Sequence, residues 1–451
     1  RRSIAKLRAQ AEPVPARVYA NFLTEWHGIG GHDRGVDAAL RVIEQLAGCP
    51  IPASALESHI LPARVRDYTP AMLDELTSAG EVVWCGAGAL PGGDGWITLA
   101  PADADITLGD PSDVEGDVAT AILGAVADGG GWFYAQLFDR LSATAPEGFD
   151  PAAVPVAFED LLWAGWLTND TFAPIRAHLS TVGGSGGSGR RSAVRRADAR
   201  PRRYSRSASR GSLRTPSVAR VPPTLAGRWS AVPRTPSDHT NRAVAIAPWL
   251  LERHAVLTRG ALGIERFGGG FAAAYKVLRA MEDNGGCIRT HAIEGLGAAQ
   301  FTTAAVVDRL RLAADRDRRA QEGTEGGHQG LLLAATDPAQ PYGAALPWPA
   351  RRDGDSGHRP GRKAGAVVVL HRGDLVLYLE RGGRTMLTWT DDDAVLAAAA
   401  SAVADAVRDG RLGGLTVQRS DGDDVLRSPT AEVFTQAGFA LTPRGLRMRA
   451  R

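Results

Sequence analysis

The sequence predicts an α+β fold: tandem winged-helix modules followed by a small β-barrel and a C-terminal α/β element. Three observations carry that expectation. A unit of three helices followed by two short strands recurs along the chain. In each copy the third helix ends on an apolar pair, then glycine, then a strand. Beyond residue 300, short apolar runs separated by turn residues replace the helical spacing. The 451 residues suit about three domains at roughly 150 each, and 44% hydrophobic content can fill their cores.

In the first copy, Val36, Leu40, Ile43 and Ala47 fall at helical spacing from Arg34 to Leu46, and Pro50-Ile51-Pro52 ends that helix. Ala53 to His59 reads as a short second helix. Thr69 is the N-cap candidate ahead of Pro70, and Met72, Leu73 and Leu76 carry a third helix to Gly80. Glu81 to Cys85 reads as a strand, Gly86 to Gly95 as a loop because of its glycines, and Trp96 to Leu99 as the returning strand. The second copy has helices at Val114 to Val126, Phe133 to Leu141 and Pro151 to Trp163, with strands from Gly165 to Thr168 and Gly227 to Ser230. The third has helices at Arg242 to His254, Thr258 to Ile264 and Phe271 to Asp283, then Gly285-Gly286 and a strand from Cys287 to His291. Module boundaries fall at 1–110, 111–238 and 239–302.

Residues 303–451 are expected to form the β-barrel and the C-terminal element. Leu331 to Ala335, Ala366 to Leu370, Leu375 to Glu380 and Met386 to Trp389 supply its strands, and Ala394 to Arg408 a helix. Thr416 to Arg451 reads as strand, turn, helix (Ser428 to Ala437) and strand.

The net charge of +2 conceals an uneven distribution. Between Arg190 and Arg234 stand thirteen arginines and one acid, Asp198, a local charge of +12 that leaves −10 for the rest. This strap follows the linker-like Gly183-Gly-Ser-Gly-Gly-Ser-Gly189, and 181–223 is expected to be a disordered insert. It can neutralise phosphates without reading bases, or serve as a solubilising insertion. The only lysines, Lys6, Lys276 and Lys363, precede Leu7, Val277 and Ala364, so the Gly-Lys-Ser/Thr of a phosphate-binding loop is absent. Cys49, Cys85 and Cys287 have neither zinc-ligand nor disulfide spacing, which points to a reducing compartment. No apolar run approaches the ~20 residues of a membrane span. The chain reads as a cytosolic piece of something longer.

Glu294-Gly-Leu-Gly-Ala-Ala-Gln-Phe301, Leu333-Ala-Ala-Thr-Asp-Pro-Ala-Gln-Pro-Tyr-Gly343 with Leu346-Pro-Trp-Pro349, and Gly365-Ala-Val-Val-Val-Leu370 resemble the C-terminal third of the bacterial large helicase-related proteins. The likeness spans nearly the whole chain, lapsing at about 181–223, 315–330 and 350–362. It implies a superfamily 2, ATP-dependent 3′-to-5′ DNA helicase linked to DNA repair. Its RecA-like motor domains, which hold ATP and magnesium, lie outside this chain, so no cofactor is expected here. The resemblance also implies a likeness to winged-helix alkylpurine DNA glycosylases, which place a Gln-x-Gln type pair at the lesion pocket. Here Gln300 is followed by Phe301 and Thr302, so that pair is missing.

In the third module, Arg266, Lys276 and Arg279 are candidates for phosphate contact, with Gly268 to Gly270 admitting close backbone approach. Arg228 and Arg259 are further DNA-binding candidates, for single-stranded or duplex DNA. The alternative is a solvated helix face. Asp74 and Glu75 in the first module, and Glu159 and Asp160 in the second, would repel phosphate and suggest packing or oligomer contacts. Asp337 is a weak catalytic candidate, a carboxylate that could support water attack or an oxocarbenium ion, with Tyr342 or Trp348 stacking an extruded base. The competing reading is an Asx-turn whose aromatics pack the barrel. His27, His32 and His291 are isolated and read as structural. No metal site is expected. Trp132, Phe133, Trp163, Trp166 and Trp249 suggest a subunit interface, hence a dimer or tetramer, or else they fill module cores.

Overall fold

A computed structural model describes residues 12–104, 108, 110–144, 150–183, 221–234, 239–265, 269–297, 299–322, 329–350 and 358–450. Arg266 and residues 184–220 lie outside the described residues; of the insert expected to be disordered at 181–223, the first three residues belong instead to the helix Ala173–Gly183 and Pro223 opens a 3-10 turn.

The first unit comprises α2 (Gly35–Gln45), β1 (Ile51–Pro52), α3 (Ala53–Ala55) leading through a π-turn at Leu56–Ile60 into α4 (Leu61–Arg64), α5 (Pro70–Ser78), β2 (Val82–Leu90) and β3 (Asp94–Pro101). The second comprises α6 (Asp117–Val126), β4 (Trp132–Phe133), α7 (Tyr134–Thr144), α8 (Ala153–Trp163), β5 (Leu167–Asn169), α9 (Ala173–Gly183) and β6 (Arg228–Ala231). In both sheets the third strand lies between the first and second, orders β1-β3-β2 and β4-β6-β5. The third unit has α10 (His239–His254), α11 (Arg259–Ile264), α12 (Gly270–Asp283), β7 (Ile288–Thr290) and β8 (Gln300–Thr302). Leu257 bridges Phe301 in the place of its first strand.

The glycine-rich stretch is strand rather than loop, and packing explains why. A Cβ on Gly86 would lie 2.0 Å from the Leu162 carbonyl oxygen, and one on Gly95 would lie 2.2 Å from the Trp163 ring. These glycines let the β2–β3 ribbon lie directly on α8 of the second unit. Units one and two consequently share one core, in which Trp84, Ile97, Phe158, Leu162, Trp163, Phe172 and Trp229 belong together.

A helix before the first unit, α1 (Ala16–Trp26), packs elsewhere. Val18, Tyr19, Phe22 and Leu23 join Leu257, Leu278 and Phe301 of the third unit and Leu375 and Tyr378 of the following sheet. Beyond residue 300 the first element is a helix, α13 (Ala304–Glu322), not a strand. Its buried Val306, Val307, Leu310 and Ala313 keep helical spacing.

No closed barrel forms among the described residues. β9 (Leu331–Ala334), β10 (Val367–His371), β11 (Asp374–Leu379), β12 (Thr385–Thr388), β14 (Arg419–Ser420) and β15 (Asp423–Asp424) make an open sheet in the order β15-β14-β12-β11-β10-β9. Its central strands are buried on both faces, which is why they read as unbroken apolar runs. Val368 and Leu370 face the core that contains α1 and the third unit. Val367 and Val369 face α14 (Asp393–Arg408), through Ala399, Ala400, Val403 and Val407. A sheet sandwiched between two apolar layers has no reason to close. The chain ends with β13 (Leu415–Val417), α15 (Thr430–Gln436), β16 (Ala440–Thr442) and β17 (Gly445–Met448).

Candidate nucleic-acid interface

A winged helix contacts nucleic acid through its third helix and wing, so the use of each third helix decides what a module can bind. In the first unit α5 is engaged: the Phe172 amide donates to Asp74 Oδ1 (2.8 Å), and Arg176 Nη1 donates to Asp74 Oδ2 (2.7 Å). The same guanidinium donates through Nε to Glu57 Oε2 (2.7 Å), fastening α9 onto the first unit. In the second unit Trp163 at the end of α8 is buried beneath the first wing. Asp74 therefore serves packing between modules.

In the third unit α12 buries Ala274, Val277, Leu278 and Glu282 and exposes Ala272, Lys276, Arg279, Ala280 and Asp283. Lys276 and Arg279 share this open face and have no acidic partner among the described residues. Tyr275 turns partly inward, its ring edge-on to Phe301 (5.6 Å) and its hydroxyl accepting from Arg289 Nη1 (2.8 Å). Arg259 is exposed in the first turn of α11, behind Thr258, whose side chain caps the helix by accepting from the Ala261 amide (3.1 Å). Arg228, by contrast, is exposed but paired with Asp170 (2.7 Å).

The Asp337 candidate proves to be part of a buried junction. Arg64 donates through Nη2 to Asp337 Oδ1 (2.7 Å) and through Nη1 to Oδ2 (3.0 Å), with both side chains essentially inaccessible. Burial pushes the Asp337 carboxyl up, but the charge and hydrogen bonds of Arg64, aided by the Ala339 amide, hold it below the ordinary aspartate value. The Ala339 amide donates to Oδ1 (2.8 Å), so the Asx-turn is present as well. Arg362 donates to the carbonyls of Thr336 and Asp337 (3.0 Å each) and of Gln340 (2.6 Å), closing the turn from the other side. Three of the four acceptor positions of this carboxylate are taken and the group is out of reach of solvent.

The stacking candidates are likewise occupied. Tyr342 is buried and donates its hydroxyl proton to the Gly373 carbonyl (2.8 Å). Trp348 is half-buried, edge-on to Tyr378 (5.9 Å). Gln300 accepts from the Ala292 and Ile293 amides (3.0 and 2.9 Å) and returns a bond to the Ile293 carbonyl (3.0 Å), a clamp on the third wing. His32 and His291 are exposed. His27 lies between the Arg253 carbonyl (2.8 Å, at Nε2) and Arg64 Nη2 (3.2 Å, at Nδ1), and burial followed by the Arg64 charge holds it neutral. Arg253 also donates to the Ala47 carbonyl (3.0 and 3.1 Å) and pairs with Glu265 (3.2 Å), which His254 meets at 2.6 Å. Units one and three and the sheet thus meet at one buried polar layer. Sequence reading missed Arg64, Arg253, Glu265 and Arg362; only the Asp-Pro-x-x-Pro-Tyr-Gly turn signalled the place.

The aromatics singled out as an interface do not form one surface. Trp163 belongs to the shared core, and the Trp166 indole donates to the Ser112 carbonyl (2.8 Å) with Arg234 over its ring. Trp132 lies under Arg140, Trp249 packs beside Cys85 and Val232, and Phe133 is 53% exposed. Among the described residues no cluster of metal-ligating side chains occurs and no helix is long and apolar enough to cross a membrane.

Two family models, each described as a winged-helix domain of the large helicase-related protein, match residues 14–102 and 236–322. The chain is 46% identical along its whole length to the "Lhr helicase/probable uracil glycosylase" of Mycolicibacterium smegmatis, and 36% identical over 99% of its length to the "Lhr helicase/uracil glycosylase" of Escherichia coli. The chain belongs to the large helicase-related (Lhr) family. It spans 29% of the length of each of these Lhr relatives and corresponds to the C-terminal region of Lhr. Among solved structures, the DNA glycosylase AlkZ of Streptomyces sahachiroi is similar at 13% identity and a TM-score of 0.47, covering 88% of this chain and 97% of its own.

Proposed function

We infer that this Lhr region is the DNA-binding, non-motor part of an ATP-dependent 3′-to-5′ helicase that works in DNA repair in the cytoplasm. One observation carries the reading. Of the three winged helices, two commit their third helices to each other, while α12 keeps Lys276 and Arg279 exposed and without acidic partners among the described residues. Two cations one turn apart on a free third helix suit phosphate contact, which positions the module without specifying sequence. ATP and magnesium belong to motor domains outside this chain. Fluorescence anisotropy on labelled single-stranded and duplex DNA tests the reading. Affinity should fall as salt rises, with a slope of about −0.7 to −0.9 per phosphate contacted, and Lys276→Glu with Arg279→Glu should weaken binding by more than ~1 kcal/mol. Absent or salt-independent binding would sink it.

The names of the two relatives support a second reading, excision of uracil from DNA. Any such chemistry would need a carboxylate or base other than Asp337, which Arg64 and the Ala339 amide occupy. Alkali-sensitive breaks in uracil-containing DNA that persist in Asp337→Asn would support it, and no breaks with the unaltered chain would reject it. Assembly into a dimer or tetramer belongs to the first reading. Its support is Phe133 and Val156, 53% and 61% exposed on unit two, and light scattering at a constant 47.5 kDa across dilution would reject it.

A further inference from the structure

Residues 393–450 repeat the connectivity of the winged-helix units. In order they run helix (α14), strand (β13), a 3-10 turn at Val425–Arg427, helix (α15) and two strands (β16, β17). Their three-stranded sheet has the order β13-β17-β16, third strand in the middle, as in units one and two. The short β14–β15 excursion between β13 and the 3-10 turn pairs instead with the larger sheet.

The exit from the third helix repeats too. In each unit the amide just past a glycine closes a bond to a carbonyl five residues back: Glu81 to Leu76 (3.0 Å), Trp166 to Leu161 (2.9 Å), Gly286 to Met281 (2.8 Å), and Phe439 to Phe434 (3.1 Å). The glycine before each donor, Gly80, Gly165, Gly285 and Gly438, has positive φ (78°, 84°, 78° and 107°). This is the 6→1 bond of a Schellman cap, four times over, at the same place in the same unit.

What distinguishes the fourth copy is its wing. The first wing lies on α8; in the second Arg228 pairs with Asp170; in the third Arg289 pairs with Glu282 (3.9 Å) and Tyr275. From Val433 to the end of the chain there is no acid, and Arg444, Arg447 and Arg449 are exposed. None of the three side chains has an acidic partner among the described residues. Leu446 and Met448 point into the core, so Arg447 on β17 and Arg449 just past its end are outward and exposed, about 7 Å apart at the usual strand rise, with Arg444 at the hairpin tip. On α15 the exposed residues Glu432, Thr435 and Gln436 carry no positive charge. The ribbon, not the helix, is the cationic element.

We propose that 393–450 is a fourth winged-helix unit whose wing, through Arg444, Arg447 and Arg449, binds the phosphodiester backbone of a nucleic acid. The choice of ligand rests on the DNA-binding reading above, while the residues are separate from α12. The test is Arg444→Ser/Arg447→Ser/Arg449→Ser in the whole chain, beside Lys276→Glu/Arg279→Glu, with affinity and salt slope read by anisotropy on single-stranded and duplex DNA. The triple variant is expected to bind about tenfold or more weakly at physiological salt, its slope shallower by about 1 for each phosphate no longer neutralised, equally on unrelated sequences. Its urea midpoint should match that of the unaltered chain, because the replaced groups are in solvent. Unchanged affinity and slope, with the α12 variant impaired, would overturn the fourth wing and leave the α12 reading standing. Weakened binding with the triple variant alone would uphold the wing and remove α12. No DNA binding by the unaltered chain would overturn both.

Discussion

Replacing Arg64 by alanine tests whether Asp337 is a structural ion-pair partner. Arg64 and Asp337 are joined by two hydrogen bonds of 2.7 and 3.0 Å at side-chain exposures of 1% and 0%. Arg64→Ala leaves a buried carboxylate held by the Ala339 amide and the charge of Arg362, and also frees the Ile60 carbonyl that Arg64 Nη1 reaches at 3.0 Å. Removing one partner of a buried pair costs about 3–5 kcal/mol, because the remaining charge stays desolvated. Arg64→Met with Asp337→Leu removes both charges and should recover much of that cost, so the double variant is less destabilised than the two single changes combined. Equilibrium urea unfolding, followed by far-UV circular dichroism and tryptophan fluorescence, measures the unaltered chain, Arg64→Ala, Arg64→Met, Asp337→Leu and the double variant. An Arg64→Ala chain within ~1 kcal/mol of the unaltered protein would refute the reasoning, as would strict additivity in the cycle.

Gly95→Ala places a methyl group 2.2 Å from the Trp163 ring and should destabilise the shared core of units one and two by about 1–3 kcal/mol or more, visible as a lowered urea midpoint; an unchanged midpoint would mean the first wing does not rest on α8. Burial, then Arg411, lowers the His59 imidazole to about 4 from 6.5, so the fold favours its neutral form: this contribution is complete above pH 6.5 and is lost as pH falls toward 4. His59→Asn should therefore flatten the acid limb of the stability–pH curve by up to one proton, about 1.4 kcal/mol per pH unit, and an unaltered slope would contradict it. Asp337 acts lower, its stabilisation being present above the unfolded value near 3.8 and lost as pH falls through its depressed folded value. Isothermal titration with ATP and magnesium should show no binding, since no lysine stands in a phosphate loop, and a stoichiometric signal would overturn the assignment of the motor to another part of the protein.

Most helix positions, though not α1 or α9, the repeat of the winged-helix unit and the absence of a phosphate loop were legible in the sequence, because each depends on local spacing: Val36, Leu40 and Ile43 along one face, Pro70 at a helix start, Gly80 and Gly165 past helix ends. The helix at Ala304–Glu322 was equally legible from Val306, Val307 and Leu310, and was obscured only by the β-rich run beyond it. Tertiary structure alone decided the rest. Gly86 and Gly95 are loop-formers by composition and strand residues in fact, because what they must avoid, Leu162 and Trp163, belongs to another module. The apolar runs of β10 and β11 fit a barrel wall or a sheet buried on both faces, and only the placement of α1 and α14 selects the second. Asp337 carries the same carboxylate whether catalytic or structural, and its burial against Arg64, 273 residues away in sequence and entering from the first unit, is a tertiary fact. Local periodicity reports which face of an element is apolar; what covers that face, or neutralises a buried charge, depends on residues brought together only when the modules pack.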